Sequence, residues 1–368
     1  MDQRIKELDG IRGIAILLVI CFHTFKRASY LSANPLLHFF TKLTLIGWIG
    51  VDIFFVLSGF LITSILLKTR EDRNYFKNFY ARRILRISPL YYLILAIVVC
   101  YIVVMEPKTS LATINTLPYF LLNLQNWLAI HGGFPTLYLQ VTWSLAIEEQ
   151  YYLFWPLLVY FLKKRTLIMA SIGIILLSLA ARLLEIWLDP QNAFYFMYYS
   201  TITRLDALVL GALIAILFIE PGIWKERLTR AAFPTLLVTT ILISFVVFAP
   251  NSPVLYNDVW IRFIGYPIVA IAGGALIVTA ITQDASSLIR RLLRNKVLIF
   301  FGKYSYALYL LHPLVAEFCL NVFWRTGFRG WYAYVSYLLV TFGISILLAL
   351  LSWNLLEKRM FALKKYFE

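Results

Sequence analysis

The chain has 368 residues, 61% hydrophobic and only 14% charged, against roughly 45–50% apolar and about 25% charged in an ordinary soluble domain. Its mean hydropathy is +0.77, and no water-soluble core of normal size would hide so much apolar surface. Those values indicate an all-α integral membrane protein and exclude secreted disulfide scaffolds, disordered chains and cytosolic dinucleotide-binding enzymes. The net charge of +15 falls in short clusters between apolar runs, as membrane proteins use it for orientation, so no nucleic-acid partner is expected.

An apolar stretch of about 20 residues crosses a bilayer as a helix. Ten such spans are predicted, near 10–27, 46–67, 89–106, 142–162, 166–187, 197–219, 232–249, 261–281, 298–324 and 333–356. The first lacks a small-residue cleavage site and is expected to be retained, not removed as a signal peptide. Basic loops follow the second, fourth, sixth, eighth and tenth spans, the richest carrying Lys68, Arg70, Arg73, Lys77, Arg82, Arg83 and Arg86. The alternate loops are poor: Lys108 alone across 107–141, and no Lys or Arg across 188–196 or 250–260. Lys26, Arg27, Lys42, Arg325 and Arg329 are the exceptions. The positive-inside rule then places both termini in the cytoplasm. A single transmembrane domain over 1–368 is expected, with no internal repeat. The apolar part of 107–141, near 117–130, is expected to lie along the interface. Cys21, Cys100 and Cys319 sit inside apolar segments and read as inert thiols, and the four histidines show no metal-ligand spacing.

Ionisable residues within spans are costly and mark candidate sites. They are Arg12, His23, Asp52, Glu148, Glu149, Arg182, Glu185, Arg204, Asp206, His312 and Glu357. Arg12 and His23 are eleven residues apart, which returns to within roughly 20° of one helix face about 16 Å further along. By itself that pairing is equally an orientation anchor and a satisfied polar side chain. Asp52, near the outer end of span two, shares its face with Gly59 and Thr63. Ser144, Glu148 and Tyr152 follow one another at i, i+4 in the outer half of span four. With Arg204, Asp206 and His312 these groups are expected at one depth in the outer half, where a polar cavity explains them better than separate helix contacts. The run containing Arg82, Arg83 and Arg86 suits phosphate through bidentate guanidinium bonds; taken alone it is better read as serving orientation or anionic-lipid contact.

Seven strings in order resemble the acyltransferase-3 family of integral-membrane O-acyltransferases: LDGIRGIAILLVICFH, GVDIFFVLSGFLI, YARRILRISPLYY, TWSLAIEEQYYLFWP, TRLDALVLGALIA, FFGKYSYALYLLHPL and LSWNLLEKRMF. The SGNH hydrolase-like domain fused to some members is absent from the sequence. The resemblance implies transfer of an acyl group, usually acetyl from acetyl-CoA, to a carbohydrate hydroxyl, with no permanently bound cofactor and no metal. The acceptor would be a cell-surface or exported glycan, lipid-linked or polymeric, and the location a bacterial cytoplasmic (inner) membrane. The family's Arg-x10-His pair falls on Arg12 and His23, the histidine as catalytic residue. Its Arg-x-x-Arg falls on Arg83 and Arg86, which with Arg82 beside them and Arg12 form the expected site for CoA phosphates. Its glutamate falls on Glu148, beside Glu149, and Ser305, Tyr306, Tyr309 and His312 join the site region. His23 would act as general base or briefly carry the acetyl group, with Glu148 or Asp52 orienting the ring. A carrier moving an anionic solute through the same polar stripe is the alternative, and the missing repeat speaks against it.

Overall fold

The structure, a computed structural model, describes residues 5–131, 133–219, 221–248 and 259–367. The outer loop expected at 250–260 therefore lies, through residue 258, outside the described residues. Ten long helices carry the fold: α1 (Lys6–Ala28), α2 (Ile49–Lys68), α3 (Tyr75–Met105), α4 (Thr142–Phe161), α5 (Lys164–Leu188), α6 (Thr201–Phe218), α7 (Ile223–Phe248), α8 (Val259–Thr282), α9 (Ser305–Arg325) and α10 (Trp331–Ser352). No strand occurs among the described residues. Among the described residues nine helical segments are long and apolar enough to cross a membrane, and the chain is an integral multi-pass membrane protein. The predicted span outside these nine is the fourth, 142–162, which corresponds to α4. It has the 20 residues needed, but its polar run from Glu148 to Tyr152 lowers its hydropathy below that of its neighbours.

Hydropathy located the helices but missed their joints. α3 begins at Tyr75, fourteen residues before the predicted span, so Arg82, Arg83 and Arg86 stand on the helix and not in a loop. Its 31 residues rise about 46 Å, well beyond a hydrocarbon core of about 30 Å. The predicted ninth span is two helices, Lys296–Lys303 and α9, joined at Tyr304. His312 consequently lies in the second turn of α9 instead of fourteen residues into a span. Both pieces are apolar, so a one-residue joint leaves no mark in hydropathy. Span six likewise breaks at Ser200, between the helix Ala193–Tyr199 and α6. The segment 107–141 folds as helices Pro107–Leu121 and Gln125–His131 with a 3-10 turn at Leu137–Leu139.

The chain divides into two compact units. The first contains the start of α1, α2, most of α4 and residues onward to Lys303. Within it α2 crosses α6 at close range. A Cβ added to Gly59 would collide with the Leu208 carbonyl, and one added to Gly211 with that of Val56. Small residues let membrane helices approach closely and gain dispersion energy, the driving force that remains when lipid removes the hydrophobic one. Glu7 joins this unit at the N-terminal end by accepting bonds from Arg290 and from Arg294 Nε, the latter at 2.8 Å.

The second unit contains the end of α1, residues 73–146 and the chain from Tyr304. Its core gathers Leu31, Val315, Cys319, Tyr334 and Tyr337. The Tyr337 hydroxyl donates to the Ala316 carbonyl at 2.9 Å, tying α10 to α9. Tyr91 and Tyr92 of α3 donate to the carbonyls of Phe120 and Leu121 at 2.8 and 3.0 Å, holding the outer segment against the helix.

Candidate active site

In the second unit α1 and α9 bring two imidazoles together. His23 Nδ1 lies 2.9 Å from the Val19 carbonyl and His312 Nδ1 lies 2.9 Å from the Leu308 carbonyl, each one helical turn back. A carbonyl only accepts, so each Nδ1 carries the proton. His312 Nε2 then faces His23 Nδ1 at 3.3 Å as an acceptor, and the two rings are 5.1 Å apart. His23 therefore shares its Nδ1 proton between Val19 and His312, and its Nε2 keeps a lone pair. His312 is wholly buried while His23 is partly accessible. Of the two rings, His23 is therefore the one open to approach, with His312 behind it. Pro313 follows His312 inside α9 and offers no N–H to the carbonyl four residues back.

The neighbouring hydroxyls form a fixed group. Tyr309 reaches Ser144 at 2.5 Å and donates to the Val141 carbonyl at 3.0 Å, and its ring lies 6.0 Å from that of His312. Ser305 is buried at the start of α9, and Tyr306 donates to the Ile87 carbonyl of α3 at 2.6 Å. Above the histidines, Arg27 pairs with Glu317 at 3.0 Å and donates to the His23 carbonyl at 3.3 Å. Arg27 stood in the sequence as an exception to the charge pattern, and its half-buried acidic partner explains why it is tolerated. Arg329, another exception, donates to the Phe323 carbonyl at 2.8 Å and covers the Trp324 ring at 4.0 Å. Outside the spans, Tyr138 donates to Glu106 at 3.0 Å. Its hydroxyl is pushed far up from the usual tyrosine range, by burial first and then by its bonds to Tyr101 and Glu106. Of the basic run, Arg82 donates to the Phe367 carbonyl at 2.7 Å and Arg83 lies 5.6 Å over the Phe79 ring. Arg82, Arg83 and Arg86 are all half-buried.

The remaining candidates belong to the first unit. Arg12 meets Asp9 at 3.3 Å. Asp52 is fully buried and pairs with Arg204 at 2.9 Å, and Arg204 stacks 4.0 Å over Tyr266. Asp206 pairs with Arg182 at 2.5 Å. Tyr152 donates to Glu148 at 3.0 Å and also meets the Ser58 hydroxyl, so the predicted i, i+4 face forms. Glu149 is half-buried on the next position of α4. Thr63, predicted on the face of Asp52, accepts from Trp155 at 2.8 Å.

The sequence offered Glu148 or Asp52 as the group that orients His23. In the structure the ring bonds Val19 and His312, and Asp52 is engaged with Arg204. Helical spacing cannot reveal this, because the His23–His312 contact joins residues 289 positions apart. Sequence reasoning placed His312 in the site region without its contact to His23, and it missed Glu317 altogether. A lone glutamate within an apolar run was the available signal for the latter.

The family described as an acyltransferase domain, acyltransferase-3, matches residues 5–350. O-acetyltransferase OatA of Staphylococcus aureus strain NCTC 8325 is 29% identical over 366 residues, covering 95% of this chain and 56% of the relative. The OatA proteins of strains MRSA252 and N315 show the same identity and coverage. The chain thus spans little more than half the length of these curated relatives. No solved structure matches it.

Proposed function

Because the chain belongs to the acyltransferase-3 family, we propose that it is a membrane O-acetyltransferase, moving acetyl from acetyl-CoA on the cytoplasmic side to a hydroxyl of a cell-surface or exported carbohydrate. The observation that carries the reading is the His23–His312 couple, which leaves a basic nitrogen on the accessible ring. His23 Nε2 takes the proton of the acceptor hydroxyl as the oxygen attacks the thioester carbonyl. The new C–O bond forms, the C–S bond breaks, and the imidazolium returns its proton to the departing CoA sulfur. His312 Nε2 and the Val19 carbonyl hold the ring while it is charged, which fixes both tautomer and direction.

Arg82, Arg83 and Arg86 would bind the CoA phosphates, since guanidinium forks match phosphate oxygens. They stand at the start of α3, in the richest of the basic clusters, which the positive-inside rule places in the cytoplasm with both termini. Tyr309 and Ser144, bonded to each other beside His312, are placed to steer the acyl or acceptor oxygen. A donor drawn from the cytoplasm, taken with the apolar helices, suits a bacterial cytoplasmic membrane as the location.

The test is release of CoA thiol from acetyl-CoA by the purified protein, with and without carbohydrate acceptors, beside mass analysis of surface glycans from cells with and without it. Acceptor-dependent thiol release and acetylated glycans are expected. Unchanged glycan acetylation, with no thiol release from any acceptor, would remove the enzyme reading and favour a carrier.

A further inference from the structure

The donor site outlined above uses the start of α3 and leaves the chain beyond residue 350, past the family match, without a role. That segment is built in a particular way. After Ser352 the helix widens into one π turn, Trp353–Glu357, continues through Lys358–Ala362 and closes with the 3-10 turn Leu363–Phe367. The Trp353 ring packs on Tyr304 at 5.8 Å and on Phe361 at 5.4 Å. Arg82 then fastens the end of the segment to α3 through the Phe367 carbonyl.

The fastening has an electrostatic consequence. It brings the half-buried Lys364 into the field of Arg82, Arg83 and Arg86. Its ammonium sits 3.7 Å over the Phe361 ring. The carboxylate sharing this region is Glu357, which takes a bond from the Ser352 hydroxyl at 2.8 Å and feels Arg86. Like charges at i, i+4 such as Arg82 and Arg86 already disfavour a helix. Adding an ammonium from a second element raises that cost, and a polyanion bound by these side chains reverses it through charge-assisted bonds.

We propose that Lys364 is a further phosphate-binding residue, completing with Arg82, Arg83 and Arg86 a cradle for the phosphates of coenzyme A. The inference rests on reading the chain as a CoA-dependent acyltransferase. An anionic lipid headgroup offers the same phosphate chemistry. Coenzyme A fits better, because its diphosphate and 3′-phosphate together carry about four negative charges near neutral pH, against the single charge of a phosphodiester lipid. Lys365, the next residue, is exposed and lies over the Tyr366 ring, so it provides a control of equal charge.

The experiment titrates CoA, and separately dephospho-CoA, into the full chain in nanodiscs of zwitterionic lipid. The variants are Lys364→Gln, Lys364→Arg, Lys365→Gln and the pair Arg83→Ala with Arg86→Ala. Lys364→Gln is expected to weaken CoA about tenfold, the size of one charge-assisted bond at a half-exposed place. Lys364→Arg should retain binding and Lys365→Gln should stay within about twofold of the parent. Unchanged CoA affinity in Lys364→Gln, with the arginine pair still weakened, overturns this inference and leaves the proposed function standing. No CoA binding by the parent protein overturns both. Unchanged CoA affinity together with lost stabilisation by added phosphatidylglycerol assigns Lys364 to lipid and overturns the nucleotide cradle.

Discussion

The two histidines make unequal predictions. In His23→Gln the amide can still accept or donate a hydrogen bond but cannot take up a proton, so the whole contribution of a positioned base is lost, ~10²–10⁴-fold in rate. In His312→Gln the base remains and only its support changes. The His312 contact, at 3.3 Å, is longer than the 2.9 Å bond to the Val19 carbonyl that shares the same proton. It is therefore the weaker restraint, with a net value of about 0.5–1.5 kcal/mol. Through the transition-state relation that is roughly a two- to thirteenfold loss of kcat, with the KM for acetyl-CoA unmoved. Single-turnover acetyl transfer by purified protein, beside a melting curve for each variant, separates the two effects. If His312→Gln falls as far as His23→Gln while melting like the parent, His312 is as essential as His23 and its reading as a weak restraint is refuted. Near-parental turnover by a well-expressed His23→Gln protein would remove His23 from the chemistry.

Three further outcomes follow from the geometry. Asp52→Asn strips the carboxylate from a pair whose members are both about 1% exposed, and it should lower stability by ~3–5 kcal/mol; an unchanged melting temperature in detergent would show that Arg204 is held by its aromatic neighbours alone. Gly59→Val drives a side chain into the Leu208 carbonyl and should cost about 1–3 kcal/mol through overpacking, seen as lower yield and melting temperature, while Gly343→Val, where a Cβ meets open space, should be near neutral. A cysteine at Phe134 should react with an impermeant thiol reagent in intact cells and one at Arg291 should not; the reverse labelling would invert the topology and move the arginine run of α3 away from cytoplasmic CoA.

Helix positions were legible because a span must bury about 20 apolar residues, and that constraint is written in composition. Joints were not. Tyr304 and Ser200 interrupt apolar runs without Gly or Pro at the break itself, so nothing local announced them. The face shared by Glu148 and Tyr152 was readable because it depends only on helical spacing. Partner choice across helices was not readable: Asp52 was expected at the same depth as His23, Arg204 and His312, and only packing of α2 on α6 assigns it to Arg204. The arginines of α3 were recognised as a cluster, but the contribution of Lys364 depends on a π turn after Ser352 that no periodicity reveals.

The charges within this protein fall into two kinds, and the distinction bears on the chemistry. Asp52 with Arg204, Asp206 with Arg182 and Glu317 with Arg27 are opposite charges matched at hydrogen-bonding distance. A matched pair in a low-dielectric interior is costly to break and serves as a fixed strut. The His23–His312 couple is different, since both its members and the backbone carbonyls they bond are uncharged when each Nδ1 holds its proton. Such a couple can be buried at little electrostatic cost. It can also take one proton for the duration of a reaction without first dismantling an ion pair. A carboxylate in the place of His312 would have bound that proton's charge more strongly and released it to the leaving sulfur less readily. Two neutral rings therefore suit a base that must be free at the start of each turnover and free again at its end.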